Sequence, residues 1–314
     1  MHLAALSPAT LWSMARETVT SWQADFAPSM GAGIAYYTVF SLAPLLVIVI
    51  SVAGLFLGAD AASDYVYAQL AGLLGPPGAE AVRGMVESAG RTEQGIIGPV
   101  VGVALLLVGA TTVFAELQSD IDRIWKAPAA RRKTGVWPLV RRRVLSLGLV
   151  VSIGFLMLVS LVLSAALAAV GKWWGSRLEN FAWLLHALDF AASIAMVSVL
   201  FALMYKILPR VKIGWRDVWV GAIATALLFT TGKFLVGLYI GKSDVASGFG
   251  TAGSLVVLLV WVYYSAQIFL LGAEFTWVYA HRFGSRRDVD KPPSTRDTLA
   301  TDGASLPDAG PAVP

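Results

Sequence analysis

No cysteine occurs among the 314 residues, which excludes a disulfide framework and a thiolate metal site. Histidine is nearly as scarce. His2, His186 and His281 are the only three, too few for a multi-histidine metal centre. Charge is thin: Lys, Arg, Asp and Glu make up 14% of the chain, where soluble domains carry roughly a quarter. The signatures of common enzyme engines are missing, with no P-loop, no HExxH and no GxSxG. No catalytic residue, no metal and no cofactor are therefore expected, and an ATP-driven pump has no engine here. Residues 1–26 lack a basic stretch followed by a compact apolar core and a cleavage site, so no secretory signal is expected.

Apolar length is what the chain has. It is 57% hydrophobic, with a mean hydropathy of +0.69. A membrane helix needs roughly 20 mostly apolar residues. Six runs qualify, over about 31–57, 95–117, 144–170, 183–208, 217–240 and 250–280. The loops between them alternate in charge. Arg16, the 123–143 segment, the 206–216 segment and the tail carry eighteen Lys and Arg, and the intervening loops carry five, with Lys233 as the remainder. Basic residues are retained in the cytoplasm. The alternation therefore predicts an all-α polytopic membrane protein with six spans and both ends cytoplasmic.

The expected layout is residues 1–30 as an N-terminal helix, 31–283 as the transmembrane domain and 284–314 as a disordered cytoplasmic tail, rich in Pro, Asp, Ser, Thr and Arg. Ser7 and Pro8 are set to start the first helix. Leu11, Trp12, Ala15, Val19, Trp22 and Phe26 then recur at helical spacing. Two placements stay open: flat on the membrane surface, or packed under the bundle as a plug. Between the first and second spans, GPPG at 75–78 separates two short amphipathic stretches, which reads as a helical hairpin over the outer face.

Ionisable residues inside apolar spans are candidates for function, because lipid penalises them. They are Glu116, Asp189, Lys233 and Glu274, with Tyr36, Tyr37, His186 and Gln267 as milder cases. At about 1.5 Å of rise per residue, Lys233 and Asp189 fall at matching depths, roughly 10 Å below the outer surface. A buried Lys233–Asp189 pair follows as an expectation. Glu116, Glu274 and the two tyrosines form an inner layer. For each residue, structural pairing or snorkelling is the competing account. The arginines of RRKTGVWPLVRRR (Arg131, Arg132, Arg141, Arg142, Arg143) are placed to hold anionic lipid headgroups rather than nucleic acid. Gly250 and Gly253 open the last span, and Pro44 predicts a kink in the first.

Four stretches together carry a resemblance: GAGIAYYTVFSLAPLLVIVISVAG (31–54), LQSDIDRIWKAP (117–128), YKILPRVKIGWRDVWVGAIATALLFTTGKFLVGLYI (205–240) and GTAGSLVVLLVWVYYSAQIFLLGAEFTWVY (250–279). They resemble the YihY/BrkB family of bacterial inner-membrane proteins, over about residues 12–282. Tyr36, Tyr37, Pro44, Trp125, Pro209, Trp215, Gly253, Gly272 and Glu274 fall on the shared pattern. The resemblance implies the polytopic fold and points to virulence and envelope transport. Members have also carried a ribonuclease label, for which this chain shows no ligand cluster. The expected function is a transporter or flippase-like protein for an anionic or lipid-like envelope substrate. The alternative is a scaffold that transports nothing, and a membrane-tethered ribonuclease comes last.

Overall fold

The computed structural model describes residues 7–91, 112–128, 182–242 and 253–287. Every regular element among them is a helix, and there is no strand. In chain order they are α1 (Pro8–Ala24), α2 (Ala27–Leu57), α3 (Ala59–Arg91), α4 (112–124), α5 (Ala182–Ile207), α6 (Trp215–Lys242) and α7 (Gly253–Arg282). Among the described residues, three stretches are long and apolar enough to cross a membrane: Phe190–Ile207, Trp215–Val236 and Leu255–Arg282. A fourth forms if the two parts of α2, Ala27–Leu42 and Leu45–Leu55, count as one bent span. They meet at 43° around Pro44, which has no N–H for the helix ladder. The stretches at 95–117 and 144–170 lie largely outside the described residues.

Helix α7 is the hub. It packs against α1, α2, α3 and α6. Small residues set the spacing at its contact with α6. Gly221 faces Thr276, and Gly272 faces Thr225; a Cβ at either glycine would overlap the opposing threonine. Each threonine donates to the glycine carbonyl one turn earlier in its own helix, Thr225 to Gly221 at 2.7 Å and Thr276 to Gly272 at 2.6 Å. The hydroxyls are thereby satisfied inside an apolar interface, and the backbones can approach closely. Buried Tyr205 of α5 completes this seam by donating to Phe269 O at 2.8 Å. Phe201, Tyr205 and Phe269 stack on one another, Phe229 meets Phe201 edge-on, and Trp261 stacks on Phe229, which links α5, α6 and α7.

Ser7 caps α1 as its position predicts, accepting from Thr10 N at 3.2 Å, with Pro8 in the first turn. Met14 and Thr18 are its buried residues, and Met14 packs on Val278 and Tyr279 of α7. Arg282 pairs with Glu17 and donates to Ser13 at 2.8 Å. Leu11, Val19 and Trp12 are exposed on other sides, Trp12 at 73%. The helix thus docks on the bundle through one stripe and leaves apolar side chains outward on another. Helix α3 carries Pro76 and Pro77 at its middle. Arg83 lies 5.4 Å from the Tyr67 ring centroid, so the stretches on either side of the prolines pack together. Sixteen residues of straight helix would hold them about 24 Å apart.

Candidate functional site

Three segments converge at the α1 end of the bundle: the α1–α2 junction, the end of α4 and the last third of α7. The junction turns on two residues. Asp25 closes α1, its N–H donating to Ser21 O, and Phe26 then takes a left-handed conformation at φ 60°. Pro28, in the first turn of α2, fits a new helix start. Lys126, just past α4, is also left-handed, at φ 47°. These are the two non-glycine residues with positive φ among the described residues, and both border the same site. Such backbone costs of order 1–3 kcal/mol per residue and is retained where surrounding structure enforces it.

At the centre is Glu274, only 1% exposed in an apolar helix. The carboxyl of Asp25 lies within hydrogen-bond reach of it, and Lys126 supplies positive charge nearby. The Lys126 ammonium also sits 4.6 Å from the Trp277 ring centroid. One oxygen of Glu274, Oε1, is buried with no hydrogen-bond partner among the described residues. Trp125, buried beside Ala273 in the main apolar cluster, carries an indole N–H in the same condition, as does Trp22. Buried polar atoms are nearly always paired, so this concentration is unusual.

A second carboxyl pair lies on α4. Asp120 is 6% exposed, and its Oδ2 is likewise unpartnered. Burial pushes its carboxyl up to about 7; Glu116 adds to the rise and Arg123 opposes it. Glu116 Oε1 is set against Gly33 of α2, where a Cβ would stand 3.0 Å away. The Arg123 guanidinium lies 5.7 Å from the Phe26 ring centroid. A cavity of about 390 Å³ opens beside this helix, lined by Gln118, Ser119, Asp122, Arg123 and Arg210 among others. Arg210 holds Asp122 with its guanidinium at 3.0 Å and its backbone N–H at 2.9 Å, which ties α4 to the α5–α6 loop.

The residues singled out in the sequence separate into distinct settings. Glu116 and Glu274 stand at the same end of the bundle, each with a second carboxylate close by. Tyr36 and Tyr37 are one turn from Gly33; their rings meet edge-on at 5.4 Å, and Tyr36 is exposed. Lys233 is exposed on α6 beside Phe234, itself 71% exposed. The side chains of Asp189 and His186 are outside the described residues, as are Gly250 and Arg131, Arg132, Arg141, Arg142 and Arg143. Trp125, Pro209, Gly253 and Gly272 are buried, and Trp215 lies 5.1 Å below the Lys206 ammonium. Gln267 Nε2 donates to Ala27 O and Pro28 O at 3.3 and 3.4 Å, joining α7 to the start of α2.

Asp25 and Asp120 are the residues that sequence reasoning missed. Asp25 lies outside every apolar run, and it reaches α7 because α1, which it closes, docks there. The signal that could have found it is the proline that follows, which marks a new helix and hence a junction. Asp120 sits four residues from Glu116, on the same face of one helix.

A family profile described as Virulence factor BrkB matches residues 18–298. A UPF0761 membrane protein of Pseudomonas paraeruginosa is 27% identical over 271 residues, covering 85% of this chain and 63% of that protein. One from Stenotrophomonas maltophilia is 30% identical over 255 residues, covering 78% and 55%. A third, from Xanthomonas oryzae, is 28% identical over 254 residues, covering 77% and 55%. The chain thus spans rather more than half the length of these curated relatives. No solved structure matches it significantly. Apolar spans, the shared motifs and the extent of the profile agree that this chain is a membrane protein belonging to the BrkB family.

Proposed function

We propose that the protein is an inner-membrane transporter or flippase-like protein for an anionic, lipid-like envelope substrate. The observation that carries this reading is Glu274, wholly buried in an apolar span with one carboxylate oxygen unpartnered. A carboxylate in such a place is costly and contributes nothing to packing, so a role in moving charge accounts for it. Lys233 gives secondary support. It is a cation on the exposed apolar face of α6, among Leu227, Leu228, Phe234 and Leu235, where a lipid headgroup phosphate can meet it. In this reading residues 95–117 and 144–170 supply the remaining spans, both termini are cytoplasmic, α1 rests at the membrane surface, and α3 folds at its prolines into a cap over the outer face. A cavity for the substrate would run between α2, α6 and α7.

One observation favours a scaffold instead. The α6–α7 seam is closed by the Gly221–Thr276 and Gly272–Thr225 contacts, which leave no space between those two helices at that level. Reconstitution separates the readings. Purified protein is placed in liposomes with headgroup-labelled anionic and zwitterionic lipids, and quenching from outside follows exposure of inner-leaflet label. Movement of anionic label by wild type, reduced in Lys233→Ala, supports transport. No movement of any label counts for the scaffold.

A further inference from the structure

We propose that Glu274 and Asp25 form a proton-binding site, and that the proton they share is the coupling ion of the transport reading, on which this inference rests. A carboxyl group donates a hydrogen bond only when it carries a proton, and two bare carboxylates repel. Two carboxyls within hydrogen-bond reach are therefore a place where a proton is held between them. Their surroundings differ in a useful way. Glu274 is sealed inside α7, and Asp25 is half-buried at the end of the bundle. Asp25 thus stands between the interior group and water, the position of a relay. Glu274 Oε1 remains unpartnered, so the acceptor capacity of the site is not exhausted by Asp25.

The other charged groups nearby are engaged elsewhere or oppose the pair from one side. Lys126 is the cation that faces Glu274. Asp217 of α6 accepts from Ser285 N at 2.7 Å, Arg282 of α7 pairs with Glu17 of α1, and Tyr205 of α5 donates to Phe269 O. From α4, Asp120 is repelled by Glu116 and attracted by Arg123, and Glu116 faces Gly33 of α2. His281, two turns along α7, contacts Trp277 O at 2.8 Å through Nδ1. The two left-handed residues flank the pair: Phe26 adjoins Asp25, and Lys126 is the opposing cation. Loss of the shared proton leaves two anions facing each other across the α1–α7 contact.

Difference infrared spectra test the site directly, because only a protonated carboxyl shows the carboxylic C=O stretch. The full chain in lipid nanodiscs is used, in an Asp120→Asn background so that this second buried carboxyl does not contribute. The expected result is a carboxyl band at neutral pH that Glu274→Gln removes and Glu116→Gln leaves. Asp25→Asn, at the half-buried position, is expected to move the pH at which the band disappears; this keeps the test alive if Glu274→Gln fails to fold. Absence of the band in the parent, its survival in Glu274→Gln, or an unchanged midpoint in Asp25→Asn overturns the assignment. Loss of the band on adding Na⁺ at constant pH would make this a sodium site and overturn the proton. In liposomes, an imposed pH gradient should change the rate of lipid movement in the parent and not in Glu274→Gln. A parent that moves lipid regardless of the gradient overturns the coupling. A parent that moves no lipid counts against the transport reading, while the infrared result still decides the proton site.

Discussion

Asp217 and Glu274 are two carboxylates on adjacent helices, both nearly inaccessible, at 4% and 1% exposure. They are opposites in every other respect. Asp217 lies in the first turn of α6, where the helix dipole favours a negative charge. It accepts from Ser285 N, and Gly284 is pressed against both its oxygens; Ser285 in turn accepts from Gly214 N at 3.0 Å. It is a clamp that holds the end of α7 to the start of α6. Glu274 lies far from either end of its helix, faces another carboxyl and keeps an oxygen unpaired. Burial alone therefore does not distinguish the two acids, and the count of satisfied lone pairs does.

That contrast can be broken most forcefully at the clamp. Asp217→Ala removes the acceptor and strands Ser285 N–H, with an expected loss of about 2–3 kcal/mol in thermal or denaturant unfolding in detergent. A loss below about 0.5 kcal/mol would end its description as a clamp. Next in size is Gly272→Val, whose side chain must displace Thr225 and Tyr205. Overpacking of this kind costs about 1–3 kcal/mol, and cross-linking between cysteines introduced into α6 and α7 should weaken. No native cysteine competes with the labels.

Asp120→Asn comes third, and its effect depends on pH. The folded-state value of about 7 exceeds the ordinary carboxylate value, so the folded protein binds the extra proton between about pH 4 and 7. The stabilisation from that proton is complete below the unfolded value and is lost as pH rises through about 7. Asp120→Asn should therefore raise stability at pH 8, on the order of 1–2 kcal/mol, with little change near pH 4. Melting curves at the two pH values check this, and equal shifts at both would refute it. Smallest is Glu274→Gln, expected to change stability by under about 1 kcal/mol in either direction, because no satisfied hydrogen bond to Oε1 is lost. If it destabilises as much as Asp217→Ala, the distinction between the two acids collapses.

Much of this architecture was legible in the chain itself. The spans at 183–208, 217–240 and 250–280 correspond to α5, α6 and α7 because lipid-length apolar runs leave few alternatives. The start of α1 was readable from Ser7 and Pro8, and the bend of α2 from Pro44. The direction in which each side chain points was much less so. Depth follows from rise per residue, but facing depends on which neighbours pack where. Gly232 is buried and Lys233, the next residue, is exposed, since adjacent helical positions differ by about 100°. Depth sets Lys233 level with Asp189, but the exposed position of Lys233 could not be read from depth. Asp25 was hidden for a related reason. Its approach to Glu274 depends on how α1 docks on α7, and no periodicity in the sequence announces it.

The reciprocal threonine–glycine contacts between α6 and α7 also have a mechanical consequence. Four interlocking positions, with Tyr205 seated on them, prevent one helix from sliding along or rolling over the other without unseating all of them. These two helices, with α5 attached through Tyr205, are thereby held to one another as one unit. Among the described residues, the breaks in helix direction lie elsewhere, at Phe26 between α1 and α2 and at Pro44 within α2.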